Sequence, residues 1–330
     1  MGQIRAVSAE KSGRCVIASV FDESLSKDSP YSVAKSIDAI VTDPSIDAVF
    51  VCLPNYMNKP TTIAALKAGK HVFCEKPPAF NAADVEEIIE AEKASHKVLM
   101  YGFNHRHHAG VLKMKGLIES GEYGKVLWMR GRYGKSVDTN YLSTWRAKKE
   151  LAGGGILIDQ GIHMLDLFHY MGNCTFDEVH ALVSSRYWNM AGVEDNVFLI
   201  MRNRENGVEV SFHSTMTQWR HLFSLEIFME AGYMVLNGLK TSSNTYGAEE
   251  LSVARNRSMA PAASWEMEIK ETFDVDVSWD REAEIFIDAV QGTARLESGT
   301  STQALSVMRL VDRIYGSDHH VSSTLYDSLK

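Results

Sequence analysis

The sequence predicts an α/β protein in two parts: a Rossmann-type doubly wound parallel sheet, followed by an α+β domain with a large, mostly antiparallel sheet. Short buried strands alternate with helices over the first hundred residues, as they do in parallel sheets covered by helices on both faces. Long alternating strands follow, and turn dipeptides join several of them. We place the two domains at residues 1–103 and 104–330.

The first domain begins with a predicted helix over residues 3–11 that ends near Gly13. The segment CVIASVFDES, residues 15–24, then has the composition of an apolar strand closed by Asp22. A helical stretch follows around residues 33–41. The remaining elements alternate strictly: a strand over 47–54, a helix over 61–69, a strand over 71–77, a helix over 84–95 and a strand over 97–103.

Polar residues stand at the carboxyl ends of these strands, the edge where doubly wound sheets bind their ligands. They are Asp22, Pro54 and Asn55, Glu75 and Lys76, and Asn104. A carboxylate closing the second strand accepts hydrogen bonds from the ribose of NAD, although turns favour Asp at any strand end. We therefore expect NAD, with NADP possible, and Lys27 is the residue that opposes this preference.

The glycine-rich turn G-x-G-x-x-G, which holds a pyrophosphate at a helix N-terminus, is missing from this chain. Met1 and Gly2 come immediately before the first helix, so Gly2 occupies the position of the third glycine and the usual central strand has no counterpart. For the chain as written we expect weak dinucleotide binding. We also expect the first domain to be less stable than the second.

The stretch GGGILIDQGIHMLDLFHYMG, residues 153–172, predicts a catalytic helix. Asp159 and His163 are four residues apart, about one helical turn, so the carboxylate can orient the imidazole. The three glycines permit close backbone approach, which would let a ligand sit at the helix start. A single histidine on an amphipathic helix is more often structural than catalytic, and this stretch alone leaves both interpretations open.

Beyond Asn104 the strands are longer and alternate. We predict strands over residues 125–134, 178–188, 196–206, 207–219, 223–238 and 264–273, with closing helices over 279–292 and 300–316. Asn206-Gly207 and Ala231-Gly232 are the hairpin signals. Aromatic residues on these strands (Trp128, Tyr133, Trp188 and Trp219) belong either to the core or to an oligomer interface.

Composition excludes several classes of partner. With 34 Lys+Arg against 42 Asp+Glu, the net charge is −8 and no basic run stands out, so we expect neither nucleic acid nor membrane as a partner. The four cysteines are scattered, the N-terminus lacks an apolar secretory core, and no apolar run approaches the ~20 residues of a spanning helix. We expect a cytoplasmic protein. His105, His107 and His108 lack a carboxylate partner in an identifiable geometry, so no metal site is predicted.

Four motifs occur in a fixed order: EKPP at 75–78, GFNHR at 102–106, WR at 145–146 and GGGILIDQGIH at 153–163. In these motifs the chain resembles the Gfo/Idh/MocA oxidoreductases, the family of glucose-fructose oxidoreductase and inositol dehydrogenase. The resemblance implies a two-domain NAD(P)-dependent enzyme for sugars, sugar nucleotides or cyclic polyols. It also implies a homo-oligomer, a dimer or tetramer, formed through the second-domain sheet.

The resemblance also assigns roles. Lys76 would hydrogen-bond the reacting hydroxyl, His163 would be the general acid/base, and Asp159 would orient the ring or hold a substrate hydroxyl. This suits alcohol oxidation, which needs a proton acceptor opposite the hydride acceptor. The predicted cofactor contacts are Gly2, Asp22, Pro54, Asn55, Glu75, Lys76, Asn104 and Arg146.

Two further departures from the family pattern affect the cofactor half. The segment between Asp22 and Asp43 is several residues shorter than usual, and Asn58 stands where a histidine is often found in TPNxxH. The sequence therefore predicts an NAD(P)-dependent dehydrogenase acting on CH–OH groups. The alternative is a catalytically inactive relative that binds a sugar-like ligand or a partner through the second domain.

Overall fold

The structure is a computed structural model that describes residues 1–23, 25, 29–256 and 264–317. Its helices are α1 (Gly2–Lys11), α2 (Ile37–Val41), α3 (Asn55–Lys67), α4 (Ala82–Ser95), α5 (Ala109–Glu119), α6 (Lys149–Ala152), α7 (Ile162–Gly172), α8 (Ser278–Gln291) and α9 (Ser301–Ser317). Its strands are β1 (Ala48–Val51), β2 (His71–Glu75), β3 (Leu99–Gly102), β4 (Val126–Ser136), β5 (Glu178–Ser184), β6 (Asn196–Arg202), β7 (Glu209–Thr215), β8 (Thr217–Met229), β9 (Gly232–Asn237), β10 (Glu249–Arg255) and β11 (Ile269–Phe273). Lys27 lies outside the described residues.

The first sheet is parallel and has the order β1-β2-β3 in the part of the chain that the structure describes. Val49 pairs with Val72 and Cys74 pairs with Tyr101, so the carboxyl ends of the strands lie along one edge. The strands are apolar and almost fully buried, as expected of a parallel sheet between helices. The predicted Rossmann-like parallel sheet is confirmed for these three strands.

The predicted strand at 15–24 is wrong. Residues 15–21 form no ladder, and their one pairing is an isolated parallel bridge between Val20 and Val33. An apolar run becomes a strand only when a neighbour takes its backbone hydrogen bonds. Within the described residues no strand lies beside this segment, which borders a cavity of about 1390 Å³ that β1 also lines. The outer edge of β1 is likewise unpaired in the described residues.

Helix boundaries follow local capping. The helix expected around 33–41 is confined to Ile37–Val41, because the Ser36 side chain accepts the main-chain N–H of Ala39 and fixes its start. Asn81 caps α4 in the same way through the N–H of Asp84. The helix predicted over 61–69 begins earlier, at Asn55, with Pro60 inside it.

Within the described ranges the second sheet has eight strands in the order β11-β10-β9-β8-β4-β7-β6-β5, and its pairs are antiparallel except β4 with β7. This confirms the large, mostly antiparallel sheet. Asn206-Gly207 and Ala231-Gly232 lie in the turns between β6 and β7 and between β8 and β9, as predicted. The strand predicted over 207–219 is divided at Met216 between β7 and β8. β10 was not predicted, since its two leading glutamates obscure the alternation.

One face of this sheet packs on α7, where a side chain at Gly131 would clash with Phe168 and Met164. The chain then returns to the first domain, because α8 packs on α1 and α9 packs on α4. The Phe286 ring of α8 meets Phe50 and Phe73 edge-on, with centroids 5.2 and 5.6 Å apart. Among the described residues, no helix has the length and apolar character needed to cross a bilayer.

Candidate active site

The segment before α7 is held by a buried carboxylate. Glu194 accepts hydrogen bonds from the main-chain N–H of Gly155 at 2.7 Å and of Leu157 at 3.0 Å, and the Tyr315 hydroxyl donates to it at 2.9 Å. A side chain at Gly155 would overlap the Glu194 main chain, and one at Gly154 would overlap the Tyr315 hydroxyl. The space beside Gly154 and Gly155 is therefore occupied by Tyr315 and Glu194, and not by the ligand that was expected at the helix start.

The segment is also wound differently from the predicted α-helix. Residues Leu157–Gly161 form a π-helical turn, and α7 begins only at Ile162. A π turn closes through i→i+5 hydrogen bonds, so residues four apart no longer stack as they do on an α-helix. No side-chain hydrogen bond joins the Asp159 carboxylate to the His163 ring among the described residues. Their sequence spacing therefore does not translate into a carboxylate–imidazole pair.

Asp159 instead pairs with two cations. Lys135 on β4 donates to its Oδ2 at 2.9 Å, and Arg146 Nε lies 3.6 Å from its Oδ1. Burial alone would raise the pKa of Asp159, but the charges of Lys135, Lys76 and Arg146 outweigh it and hold that pKa well below its ordinary value. The carboxylate is thus ionised and fixed in place.

Lys76 lies beside this carboxylate. Its Nζ donates to the main-chain oxygen of Asp159, and removal from water lowers its pKa against the raising effect of Asp159 and Glu75. The loop that carries it is braced by Asn58, whose Nδ2 donates to the carbonyl of Pro77 at 2.8 Å. The asparagine that departs from the family pattern therefore has a structural role here.

His163 projects from the first turn of α7 and is 5% exposed. Its ring stacks on that of His105, with centroids 3.8 Å apart and planes 15° apart. Its Nδ1 is buried and has no hydrogen-bond partner among the described residues. Burial, followed by His105 and Lys76, lowers the pKa of His163 well below its ordinary value. The ring is therefore neutral near pH 7 and can accept a proton.

His105 is itself fixed on both sides. Its Nδ1 lies 3.1 Å from Oδ1 of Asn104, and its Nε2 lies 2.7 Å from the Tyr133 hydroxyl. Burial, then the charges of His108 and Lys76, lower the pKa of His105 well below its usual range. The neighbouring His108 takes a different partner, since its Nδ1 lies 2.9 Å from Glu249. In the described residues no three His, Cys, Asp or Glu side chains converge as a metal site would require.

Glu75, the residue before Lys76, belongs to a buried ion cluster. Arg5 of α1 donates through Nε to Glu75 at 2.7 Å, and its Nη1 lies 2.8 Å from Glu282 of α8. The second contact is an ion pair without hydrogen-bond alignment. Arg5 is 1% exposed, and its guanidinium lies over the rings of Phe73 and Trp279. The cluster connects α1, the end of β2 and α8.

The other predicted cofactor contacts lie around this centre. The amide of Asn55, which follows Pro54 at the start of α3, donates to the carbonyl of Ala152 at 2.8 Å. The amide of Asn104 donates to Ser278 at 3.2 Å. Arg146 is partly exposed beside Asp159. The structure thus brings Lys76, Asp159, His163, Glu75, Asn104 and Arg146 into one region.

Gly2 and Asp22 lie elsewhere, on the cavity of about 1390 Å³ between residues 15–22 and β1. The N-terminus of α1 opens onto it with no acid in its first turn, which suits a phosphate group. A side chain at Gly2 would meet nothing nearer than Cys52 at 3.9 Å. The cavity is large enough for a dinucleotide and offers it a helix terminus and a carboxylate, so these residues fit that cofactor in part.

Sequence reasoning missed Lys135, Tyr133 and the role of His105. Lys135 meets Asp159 only through the packing of β4 on the π turn, and no local pattern signals that contact. His105 was visible in the GFNHR motif but was considered only as a metal ligand. Its two hydrogen-bond partners, one adjacent and one 28 residues away, became apparent only in the fold.

Each of the two parts of the chain matches a known protein family model. Residues 5–103 match a family model described as "Oxidoreductase family, NAD-binding Rossmann fold", and residues 111–235 match the "GFO/IDH/MocA C-terminal domain". The structure is similar to that of levoglucosan dehydrogenase in complex with NADH and levoglucosan, with a TM-score of 0.81, 23% identity and coverage of 96% of this chain and 94% of that chain. At 23% identity this structural similarity establishes the fold alone.

Curated relatives give the closer sequence matches. A 1,5-anhydro-D-fructose reductase of Ensifer adhaerens is 31% identical over 226 residues, 66% of this chain and 65% of the relative. A levoglucosan dehydrogenase of Pseudarthrobacter phenanthrenivorans is 36% identical over 149 residues, 44% and 38% of the two chains. A myo-inositol 2-dehydrogenase of Thermotoga maritima is 29% identical over 209 residues, 62% and 60%. The matches thus span less than two thirds of each relative. With both domains matched in order, the chain belongs to the Gfo/Idh/MocA oxidoreductase family.

Proposed function

We propose that this protein is an NAD-dependent dehydrogenase that oxidises a secondary alcohol of a sugar, a sugar derivative or a cyclic polyol. The observation that carries the proposal is the Lys76 ammonium held against the Asp159 main chain, beside the neutral imidazole of His163. The names of the curated relatives supply the substrate class.

Oxidation of the alcohol separates into a hydride and a proton. A bound nicotinamide ring supplies the hydride acceptor for the carbon-bound hydrogen. Lys76 donates a hydrogen bond to the substrate hydroxyl and stabilises the negative charge that develops on its oxygen. The hydroxyl proton passes to His163, and we assign it to Nε2 because Nδ1 is buried.

Asp159 has a separate task. Lys135 and Arg146 keep its carboxylate ionised, and a fixed carboxylate accepts hydrogen bonds from a substrate hydroxyl next to the reacting one. Polyols carry several neighbouring hydroxyls, so this contact sets which carbon faces the hydride acceptor. Of the two roles implied by the family resemblance, we propose the hydroxyl contact and not the orientation of His163.

The cofactor contacts stay predictions. We propose that the N-terminus of α1 at Gly2 lies near the pyrophosphate and that Asp22 accepts hydrogen bonds from the ribose, which favours NAD over NADP. The predicted set of cofactor contacts also includes Pro54, Asn55, Glu75, Asn104 and Arg146. Lys76 would contact both the cofactor and the substrate. Alanine variants of the polar members would test each contact through the dissociation constant for NAD.

We also propose a homo-oligomer, a dimer or tetramer, located in the cytoplasm, with domains divided near residue 103. Large apolar side chains stand exposed on β5 and β6, among them Leu182, Phe198 and Ile200, and a second copy would cover them. Light scattering tests this, since a monomer at every concentration would contradict it. The unpaired state of all four cysteines is compatible with a reducing compartment.

The catalytic proposal is tested by following NAD reduction with a panel of anhydrosugars, aldoses and inositols. We expect turnover with at least one, and a loss of roughly 10²–10⁴-fold in kcat for His163→Ala with the fold retained, because proton transfer contributes that much. The exposed histidine variant His180→Ala is the matched control and should keep the wild-type rate. Sugar binding without NAD reduction would instead support the inactive relative.

A further inference from the structure

The histidine proposed as the base lacks the usual means of orientation. A catalytic imidazole is commonly held by a hydrogen bond from its second nitrogen to a carboxylate or carbonyl. Here Nδ1 of His163 has no such partner among the described residues, and Asp159 is taken by Lys135 and Arg146. The orientation of the ring therefore has to come from another contact.

The largest such contact is the ring of His105. The two imidazoles are nearly parallel at 3.8 Å between centroids, and both residues are buried. An offset or parallel stack restricts rotation of a ring about its side-chain torsion, since turning it would drive its edge into the neighbour. The stack orients His163 only if His105 is itself fixed.

His105 is fixed by two hydrogen bonds, one at each ring nitrogen. The amide nitrogen of Asn104 donates to Ser278, so its oxygen faces His105 and must accept from Nδ1–H. Burial lowers the pKa of His105 and so favours the neutral ring. In that ring the other nitrogen, Nε2, carries the lone pair and can accept from the Tyr133 hydroxyl, which lies 2.7 Å away.

We propose that His105 is a positioning residue for the reaction: its neutral ring, held by Asn104 and Tyr133, orients the imidazole of His163 by stacking on it. The inference rests on the proposed function only for its kinetic consequence. A neutral stacking partner also adds no positive charge against the ring of His163, so it does not oppose the charge that this ring takes up during turnover. Neither the family models nor the relatives' names assign this role to His105.

Three variants separate stacking from hydrogen bonding. His105→Ala removes the stack, and we expect a loss of roughly tenfold to a hundredfold in kcat with KM changed less than about twofold, because small errors of orientation cost that much. His105→Phe restores an aromatic face without the polar contacts and should recover most of the lost kcat. His169→Ala is the control, because His169 is a partly buried histidine on α7, the helix that carries His163, and its ring stacks on Phe176 with centroids 5.6 Å apart. It should leave kcat unchanged.

A second measurement is independent of turnover. In nitrogen–proton correlation spectra of protein labelled at histidine, His163 should give one sharp set of ring signals in the wild type and in His105→Phe. In His105→Ala the signals should broaden or divide as the ring rotates. If the wild type reduces no NAD, the proposed function fails, but this comparison still decides the positioning role.

The inference is overturned if His105→Ala retains the wild-type kcat while its His163 signals stay sharp. It is equally overturned if His105→Phe is as impaired as His105→Ala, because stacking would then not be the contact that matters. Rescue by phenylalanine in both kcat and spectra supports it.

Discussion

The proposed reaction centre around Lys76 and Asp159 and the proposed cofactor cleft, which is the cavity between residues 15–22 and β1, are built very differently. Around Lys76 and Asp159 the polar groups meet protein partners, and the segment leading to α7 is anchored by Glu194. Along this cleft, residues 15–21 have no regular structure beyond an isolated bridge at Val20 in the described part of the chain, and Val16 is 87% exposed. The difference teaches that the protein itself fixes the catalytic geometry, whereas the cleft has few contacts of its own to hold its shape.

The connection between the two regions is Arg5, and its loss should have the largest effect. Arg5→Met leaves the buried carboxylates of Glu75 and Glu282 without the cation that they share, so we expect the free energy of unfolding to fall by about 3–5 kcal/mol. Urea denaturation measures it. The exposed pair of Lys93 and Glu90 supplies the control, because Glu90→Gln should change stability by no more than about 0.5 kcal/mol. Equal effects of the two changes would show that the buried cluster does not connect the regions.

A smaller loss is expected within the reaction centre. Asp159→Asn leaves three cations facing one another, and we expect a loss of about 3 kcal/mol at neutral pH. Since the folded pKa of Asp159 lies below its unfolded value, this stabilisation is present above the unfolded pKa and is lost as the pH falls. The difference between wild type and variant should therefore shrink in acid. A double variant with Lys135→Met should recover part of the loss, and failure to recover any would contradict the pairing.

Much of this architecture could be predicted from local signals. The buried strands β1, β2 and β3 are encoded in short apolar stretches. The EKPP and GGGILIDQGIH motifs supply Lys76, Asp159 and His163 as candidate site residues. What could not be predicted depends on distant partners. The apolar run at 15–24 has the composition of a strand, but a segment joins a sheet only when a neighbouring strand takes its main-chain hydrogen bonds.

The π turn likewise depends on distant groups. Glu194 and Tyr315 lie far along the chain from Gly155, yet they fix the segment in which the turn forms. The four-residue spacing of Asp159 and His163 could be read from the sequence, but the winding between them could not. The same holds for Lys135, which reaches Asp159 through the packing of β4.

The pH dependence of stability should distinguish the buried cluster from the rest of the molecule. Burial first, and then Glu75, raise the pKa of Glu282 to about 7, although Arg5 opposes this. The pKa of Glu282 in the folded protein exceeds its unfolded value of 4.5. Its contribution to the free energy of unfolding is therefore fully present below pH 4.5 and is lost as the pH rises towards about 7. We expect Glu282→Gln to reduce the decline in unfolding free energy over that range by about 1–3 kcal/mol. An unchanged slope would rule out Glu282 as the titrating group.

The smallest effect concerns the cleft. Asp22→Asn removes the charge that repels a 2′-phosphate, and we expect the ratio of kcat/KM for NAD to that for NADP to fall about tenfold, or about 1.4 kcal/mol. Asp38→Asn is the control, because Asp38 is exposed on α2 and does not line the cavity. Should the two variants have the same cofactor preference, Asp22 does not contact the ribose.

The most direct measurement follows the transferred hydrogen itself. The best substrate of the panel, carrying deuterium on its ring carbons, is incubated with NAD and the protein, and the mass of the reduced cofactor is determined. We predict that one deuterium appears in the reduced nicotinamide with the wild type, and that His163→Ala produces it at least about a hundredfold more slowly. A folded wild-type protein that leaves NAD unreduced with every member of the panel would contradict a reaction centre formed by Lys76, Asp159 and His163.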